Sequence, residues 1–178
     1  MRSGARPGDR LYVTGRLGGP ALAIAAWTAG RTPAAADRER FVRPAARIEE
    51  ARWLASHGAT AALDVSDGLV GDCDKICAAS GCSAVIEADK VPLAPGLVGS
   101  GQPGLVARFL THGEDFEILC AVPANKGTAF EAKADAVGVP VTEIGKLVEG
   151  QNLPTVLFEG RPLSLTRRAF VHGAGEKR

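Results

Sequence analysis

The sequence predicts an α/β layered domain, because strand-like and helix-like segments alternate along its 178 residues. Short apolar runs bounded by glycine or proline are typical of strands, and longer runs with apolar residues at helical spacing are typical of helices. The composition agrees, since 46% hydrophobic and 23% charged residues indicate a globular chain rather than a disordered one. This length favours one domain with a substantial core.

The first part of the chain reads as a strand followed by helices. Residues 11–14 are apolar and strand-like. A glycine-rich turn then precedes Pro20, which suits the first turn of a helix because its missing N–H costs nothing there. The turn lacks the lysine of a phosphate-binding P-loop, so a simple tight turn explains its glycines equally well. The expected elements are a strand over 11–14, helices over 21–29 and 44–57, and a strand ending near 64. Residues 31–44 are expected to form a polar connection, with room for a short helical piece.

The rest of the chain continues the alternation. Apolar residues recur at helical spacing after Gly68, and Gly81 suits the end of that helix. The glycines and the proline of 96–104 predict a mobile loop. The further elements expected are strands over 83–88, 117–122, 139–148 and 155–158, and helices over 69–80, 105–110 and 124–137.

Two carboxylates and a hydroxyl lie where the strand ending near 64 meets the helix that follows. Asp64 and Ser66 share a face because strand side chains alternate, and Asp67 with Gly68 makes the turn. Oxygen ligands suit hard cations such as Mg²⁺, and the start of a helix can hold phosphate oxygens. The alternative is structural, since serine and aspartate are also favoured helix caps.

A second acidic cluster precedes the apolar strand that starts near residue 117. It reads Thr-His-Gly-Glu-Asp-Phe-Glu over residues 111–117. Taken alone, Glu114 and Asp115 could equally form a turn or cap a helix. Two acidic clusters beside strand ends nevertheless favour a binding site, because ligands of open α/β sheets gather at such ends.

These motifs together resemble those of thiamine-monophosphate kinases. Residues 64–69, D-V-S-D-G-L, match the family's "D-[IVL]-S-D-G-L", and residues 112–117, H-G-E-D-F-E, are similar to its "G-G-E-D-Y-E". Residues 2–15 resemble its "R-S-G-A-x-P-G-D…Y-V-T-G", and residues 169–172, A-F-V-H, are a weaker match to "G-[YFW]-D-H". The motifs follow the family's order over nearly the whole chain.

The resemblance implies a fold, a reaction and an organisation. The fold is the carboxyl-terminal domain of AIR synthase-like proteins, a mixed sheet covered by helices, here spanning residues 1–178 as a single domain. The reaction transfers the γ-phosphate of ATP to thiamine monophosphate, with Mg²⁺ as the cation. Family members carry an additional amino-terminal domain that supplies further acids and usually makes the dimer. We therefore expect this chain to correspond to the second half of such a kinase and to be poorly active alone.

The resemblance also implies residue roles. Asp64 and Asp67 correspond to Mg²⁺ ligands, and Ser66 corresponds to a residue that contacts ATP. Arg2 matches an arginine that reaches ATP phosphate, although an arginine beside the chain start is usually solvated. The family has "G-D-S" after its first strand here, whereas this chain has Gly18-Gly19-Pro20 without an acid.

Two residues correspond to the thiamine site. Glu114 matches a glutamate that contacts thiamine, and a carboxylate suits its cationic ring or its amine donors. Phe170 matches a terminal aromatic residue that lies against thiamine, as a ring face can attract a cation. An aromatic residue near a chain end can equally cover the edge of a core, and Val171 stands where the family often has aspartate.

Composition and charge limit the remaining possibilities. The net charge of +1 gives no sign of a nucleic-acid or membrane surface. No apolar run approaches the ~20 residues of a membrane span, and the start does not resemble a signal peptide, so we expect a cytoplasmic protein. The four cysteines form no C-x-x-C pair, which favours buried apolar roles over zinc binding.

Three functional hypotheses follow. The first is the nucleotide and thiamine half of a thiamine-monophosphate kinase, a homodimer or a chain that associates through the face of the missing domain. The second is a dimerisation or binding module without catalysis. The third is another AIR synthase-like enzyme, such as selenophosphate synthetase, the hydrogenase maturation factor or AIR synthase itself. The presence of both the motif around Glu114 and the motif D-V-S-D-G-L favours the first hypothesis.

Overall fold

A computed structural model describes residues 1–98, 102–151 and 153–169 of the chain. Phe170, one of the residues predicted to bind substrate, lies outside these ranges. The strands are β1 (Arg10–Thr14), β2 (Ala61–Asp64), β3 (Ser83–Glu87), β4 (Ile118–Val122), β5 (Val141–Val148), β6 (Thr155–Phe158) and β7 (Arg161–Pro162). The α-helices are α1 (Gly19–Thr28), α2 (Ala35–Val42), α3 (Ile48–Ser56), α4 (Leu69–Ser80), α5 (Pro103–Leu110) and α6 (Gly127–Val137).

The described strands form one mixed sheet in the order β2-β4-β1-β5-β3-β6-β7. Strand β4 is antiparallel to both of its neighbours, β2 and β1. The pairing of β3 with β6 is parallel. The carboxyl ends of β1 and β2 therefore lie at the same edge of the sheet as the amino end of β4. This edge carries both of the acidic motifs.

The sheet has an apolar core on each face, because successive strand residues point to opposite sides. On one face, Leu11 and Val13 pack with side chains of α4 and α5 such as Ile76 and Leu110. On the other face, Tyr12 packs with Leu54 of α3 and Phe130 of α6. All five residues of β4 are buried, as expected for a strand covered on both sides. The predicted layered α/β fold is confirmed.

Most element boundaries agree with the sequence to within a few residues. The short helical piece allowed within the connection over 31–44 is α2, at Ala35–Val42. Helix α3 begins at Ile48 rather than at Pro44. Helix α3 was predicted from its apolar spacing, although only Leu54 of it is buried. Helix α2 has no buried residue, so no apolar stripe marks it in the sequence.

Two other sequence predictions have clear outcomes. All four cysteines are free and buried, which confirms their role as small apolar residues. Helix α4 ends where predicted, since Gly81 has φ 68° and ψ 34°, a left-handed conformation that glycine adopts without strain.

The middle of the predicted mobile loop, residues 99–101, lies outside the described ranges. Within those ranges, no helix combines the length and the apolar character that a membrane span needs.

Candidate functional site

The two acidic motifs meet because of the strand order. One motif follows the carboxyl end of β2 and the other precedes the amino end of β4, and these strands pair antiparallel with Asp64 opposite Ile118. Three backbone hydrogen bonds extend the contact beyond the strands, from the N–H groups of Val65, Glu114 and Phe116 to the carbonyls of Glu117, Ser66 and Val65 at 2.7, 2.9 and 2.9 Å. The two motifs therefore lie on the same side of the domain, as a binding site shared between them requires.

Two glycines make this close contact possible. A Cβ atom on Gly113 would collide with the carbonyl oxygen of Ser66, and one on Gly68 would come within 2.8 Å of the Thr111 carbonyl carbon. Gly68 also has φ 111°, where other residues are strained. Each motif therefore needs its glycine for packing against the other.

The first motif alternates between buried and accessible side chains, as a strand end should. Leu63 and Val65 are buried in the core, whereas Asp64 is exposed and Ser66 is half-buried. The predicted common direction of Asp64 and Ser66 agrees with this pattern. The Asp64 carboxylate makes no hydrogen bond or ion pair with the described part of the chain, so it is available to a ligand.

The turn after Ser66 is held by a carboxylate that the sequence analysis did not identify. Asp72 of α4 is fully buried, and its Oδ2 accepts hydrogen bonds from the N–H groups of Ser66 and Asp67 at 2.8 and 2.9 Å. These two amides are therefore not free for phosphate. The signal in the sequence was an acid on an apolar stripe, since Asp72 lies three residues after Leu69 and four before Ile76.

A lysine ammonium group already occupies the space between two of the acids. Lys75 Nζ lies 2.7 Å from Asp67 Oδ2 and 2.6 Å from Asp72 Oδ1. Desolvation lowers the pKa of Lys75, but the two carboxylates outweigh it, so its pKa is raised. Asp67, which the sequence analysis predicts as a metal ligand, is therefore ion-paired in this structure, with 30% of its side chain exposed.

The second motif has a backbone that few residues adopt without support. Glu114 and Phe116 have φ values of 78° and 51°, in the left-handed region that is uncommon for residues with a Cβ. Such conformations persist where the surroundings impose them, and they are frequent at functional sites. The hydrogen bonds to Val65 and Ser66 impose them here. The half-buried Glu114 carboxylate makes no hydrogen bond or ion pair with the described residues. Burial lowers the pKa of the neighbouring His112, and the charge of Glu114 acts against this larger lowering effect.

Asp115 connects the second motif to the glycine turn after β1. It is 9% exposed, and its Oδ1 accepts a hydrogen bond from the Gly18 N–H at 2.7 Å. Burial raises the pKa of Asp115 to about 7, although the Gly18 hydrogen bond and Arg40 act in the opposite direction. The turn whose role the sequence left open is therefore attached to the site.

Glu117 is the most heavily bonded acid of the second motif. Its carboxylate, 1% exposed, accepts hydrogen bonds from Thr14 at 2.8 Å, Arg40 at 3.1 Å and Arg47 at 2.7 Å. Arg40 belongs to α2 and Arg47 immediately precedes α3. Glu117 therefore fastens the helical segment that sequence analysis read as a connection onto the edge that carries the motifs. The two arginines were missed because they are distant in sequence.

An apolar groove opens beside Asp64 along the β2 edge. Its volume is about 760 Å³, and it is lined by Met1, Ala45, Ile48, Ala62, Asp64 and Phe116 among others. Ile48 is 55% exposed, which is unusual for a large aliphatic residue beside other apolar groups. The groove is therefore a candidate contact surface.

The structure does not bring Arg2 to the motifs through any described contact. The Arg2 side chain is exposed, and its carbonyl oxygen accepts a hydrogen bond of 3.5 Å from Ser80 at the carboxyl end of α4. The motif around Asp67 lies at the amino end of that helix, some 16 Å away at ~1.5 Å per residue. The predicted contact of Arg2 with ATP stays a prediction, as does the role of Phe170.

The donor set fits a hard cation only in part. Asp64 and Asp67 provide carboxylate oxygens of the kind that Mg²⁺ prefers, and one of them is unpaired. Within the residues that the structure describes, no three His, Cys, Asp or Glu side chains are grouped closely enough to hold a metal ion. A cation here would need water, a phosphate oxygen or further groups to complete its coordination.

The fold agrees with what comparison to known proteins shows. Residues 6–156 match the family described as AIR synthase related protein, C-terminal domain. The chain therefore belongs to this family through that domain.

Proteins similar to this chain include thiamine-monophosphate kinases. The enzyme of Caulobacter vibrioides is 37% identical over 97% of this chain and 50% of its own length. That of Salmonella typhimurium is 34% identical over 97% of this chain and 55% of its own length. The chain thus spans about half the length of these relatives, and the resemblance inferred from the motifs is confirmed.

Solved structures give the same result. The thiamine-monophosphate kinase of Stenotrophomonas maltophilia has a TM-score of 0.78 and 31% identity, covering 90% of this chain and 53% of that one. A structure described as AaThiL complexed with AMPPCP and TMP has a TM-score of 0.75 and 27% identity, covering 96% and 53%. The hydrogenase maturation protein HypE of E. coli, at a TM-score of 0.72 but 20% identity, shows the common fold alone.

Proposed function

We propose that this chain provides the nucleotide and thiamine half of a thiamine-monophosphate kinase, which transfers the γ-phosphate of ATP to thiamine monophosphate and yields thiamine diphosphate. The observation that carries the proposal is the direct backbone contact between the two acidic motifs at one sheet edge. It places Asp64, Ser66 and Asp67 in the same region as Glu114. The relatives named thiamine-monophosphate kinase support the same activity.

For the individual residues we propose the roles that the family resemblance implies. Asp64 and Asp67 would hold Mg²⁺, which when bound offsets the negative charge of phosphate oxygens. Ser66 would contact the nucleotide with its hydroxyl, and Glu114 would attract the cationic thiamine ring. Arg2 would reach ATP phosphate and Phe170 would lie against thiamine.

This reaction needs no protein nucleophile or strong base. The attacking group is a phosphate oxygen of thiamine monophosphate, which is largely ionised at neutral pH because its second pKa is near ~6. The protein then acts by positioning and by electrostatic stabilisation, which dominate phosphoryl transfer. We therefore assign no catalytic acid or base in this chain.

The groove beside Asp64 supports association with a further domain or a second copy of the chain. Its lining is mainly apolar, and burying apolar surface drives most protein association. The chain spans about half of its relatives' length, so we propose that the groove meets their amino-terminal half or takes part in a homodimer. We also propose a single domain over residues 1–178 and a cytoplasmic location.

Assays of the purified chain with ATP, Mg²⁺ and thiamine monophosphate test the proposal. We expect weak formation of thiamine diphosphate by the chain alone, because this half of the site by itself neutralises too little of the negative charge of the two substrates. Adding the amino-terminal half of the Caulobacter vibrioides kinase in trans should raise turnover. Asp64→Asn and Glu114→Gln should abolish this gain, and Lys90→Met, in an ion pair elsewhere, should leave it unchanged.

Two results would contradict the proposal in different ways. Robust turnover by the chain alone, lost in Asp64→Asn, would mean that the half is a complete enzyme. Unchanged turnover in Asp64→Asn and Glu114→Gln would remove both residue assignments. No thiamine diphosphate formation even with the added amino-terminal half would favour the module without catalysis or another AIR synthase-like enzyme.

A further inference from the structure

We propose that the Lys75 ammonium group is a resident counter-ion of Asp67, which a divalent cation must displace before it can bind there. The inference rests on the proposed function, because it takes Asp67 as a cation ligand. It concerns a residue outside the acidic motifs, and it makes Lys75 a determinant of cation affinity.

The first support is that this position already attracts a cation. Lys75 Nζ lies within 2.7 Å of Asp67 Oδ2 and 2.6 Å of Asp72 Oδ1. Both distances are short for charge-assisted hydrogen bonds. An ammonium ion and a divalent cation are drawn to the same carboxylate oxygens, so Lys75 stands where a metal ion bound by Asp67 would compete with it.

The second support is that Asp72 fixes the arrangement independently of Asp67. Asp72 Oδ2 is occupied by the amides of Ser66 and Asp67, which leaves Oδ1 for the lysine. Asp72 is completely buried, whereas Asp67 and Lys75 are 30% and 35% exposed. Lys75 can therefore leave Asp67 for water while remaining bound to Asp72, which makes displacement physically possible.

The third support is electrostatic. A divalent cation on Asp67 would lie a few ångströms from the ammonium group, and like charges at about 4 Å repel appreciably even at a protein surface. The free energy of moving Lys75 away is subtracted from the free energy of cation binding. Removing the charge of Lys75 should consequently tighten cation binding, the opposite of what a purely structural lysine would do.

Direct binding of Mn²⁺ to the full chain, measured by the loss of the free Mn²⁺ signal in electron paramagnetic resonance, tests this without any turnover. The test variant is Lys75→Gln, which removes the charge but keeps a donor for Asp72. We expect its Mn²⁺ dissociation constant to fall about tenfold or more, by the repulsion that is removed. Lys75→Arg, which keeps the charge, should bind Mn²⁺ like the unaltered chain.

Two further variants separate this inference from the proposed function. Lys90→Met removes a lysine from a comparable i,i+3 ion pair, that with Glu87 at 2.8 Å, and should not change Mn²⁺ binding. Asp67→Asn should weaken Mn²⁺ binding strongly. If Asp67→Asn weakens binding but Lys75→Gln does not tighten it, the counter-ion inference is overturned and the metal assignment survives.

The remaining outcomes are also decisive. If Mn²⁺ binding is undetectable in both the unaltered chain and Lys75→Gln, or is unaffected by Asp67→Asn, the inference fails together with the assignment of Asp67. Folding is checked by circular dichroism and by thermal unfolding in EDTA. If Lys75→Gln fails to fold, Lys75→Arg decides: it should match the unaltered chain, and a tenfold gain in affinity with the charge retained would overturn the inference.

Discussion

The two acidic motifs of this domain differ in the source of the carboxylates that hold their structure, although each also has an acid that is accessible to a ligand. The motif over 112–117 contains its own structural acids, since Asp115 and Glu117 are buried and bonded. The motif over 64–69 does not: its turn is held by Asp72, an acid of the following helix. In both, the accessible acid, Asp64 or Glu114, makes no hydrogen bond or ion pair with the described part of the chain. An acid within a motif is therefore not automatically a ligand, and burial distinguishes the two roles.

The largest loss in the free energy of unfolding is expected for Glu117→Ala. The substitution leaves Arg40 and Arg47 without their buried partner and removes the acceptor of the Thr14 hydroxyl. Breaking a buried ion pair on one side costs about 3–5 kcal/mol, and partial exposure of both arginines places the expected loss near ~3 kcal/mol. Urea unfolding measures it. A loss below ~1 kcal/mol would show that Glu117 does not anchor the helical segment.

Asp72→Asn is expected to cost less, about 2 kcal/mol, because the asparagine oxygen can still accept both amide hydrogen bonds and only the ion pair with Lys75 is lost. Its own amide group would face the Lys75 ammonium, and both are donors. Asp74→Asn is the matched control, since Asp74 lies on the same helix as Asp72, is more accessible, and pairs with Arg168 at 3.0 Å. If both variants lose the same stability, Asp72 has no special role in shaping the turn.

Sequence patterns predicted the parts of this site that depend on local order along the chain. The alternation at Asp64 and the end of α4 at Gly81 follow from strand and helix periodicity. The meeting of the two motifs followed from their places beside strand ends. The Glu117 contacts with Arg40 and Arg47 could not be predicted, since they join residues 77 and 70 positions apart. No periodicity encodes such a distance, and the arginines lie in segments without a clear apolar stripe.

The contribution of Asp115 to the stability of the fold is expected to depend on pH. Burial raises its pKa from a usual value of 3.8 to about 7, so the folded chain keeps a proton that the unfolded chain has already released. The contribution of this group to stability is therefore greatest at low pH and is lost as pH rises from about 4 to about 7. Its neighbours are Arg40, Glu117, Glu114 and the Gly18 amide.

Asp115→Asn tests this directly, because asparagine resembles the protonated acid and can still accept from Gly18. The variant should be more stable relative to the unaltered chain at pH 8 than at pH 5, by about 2–3 kcal/mol. Urea unfolding at both pH values measures the difference. A relative stability that does not change between pH 5 and pH 8 would mean that Asp115 titrates normally.

The smallest effect on stability is expected for substitutions of the accessible acids. This result would separate the acids that bind ligand from the acids that hold the structure. Asp64→Asn and Glu114→Gln should each change the free energy of unfolding by less than about 0.5 kcal/mol, since neither carboxylate has a described hydrogen bond or ion pair to lose. Calorimetric titration with thiamine monophosphate should nevertheless show weaker binding by Glu114→Gln. A stability loss in either variant comparable to that of Asp72→Asn would place that acid among the structural ones. The division between buried acids that shape the edge and accessible acids that bind ligand would then fail for that motif.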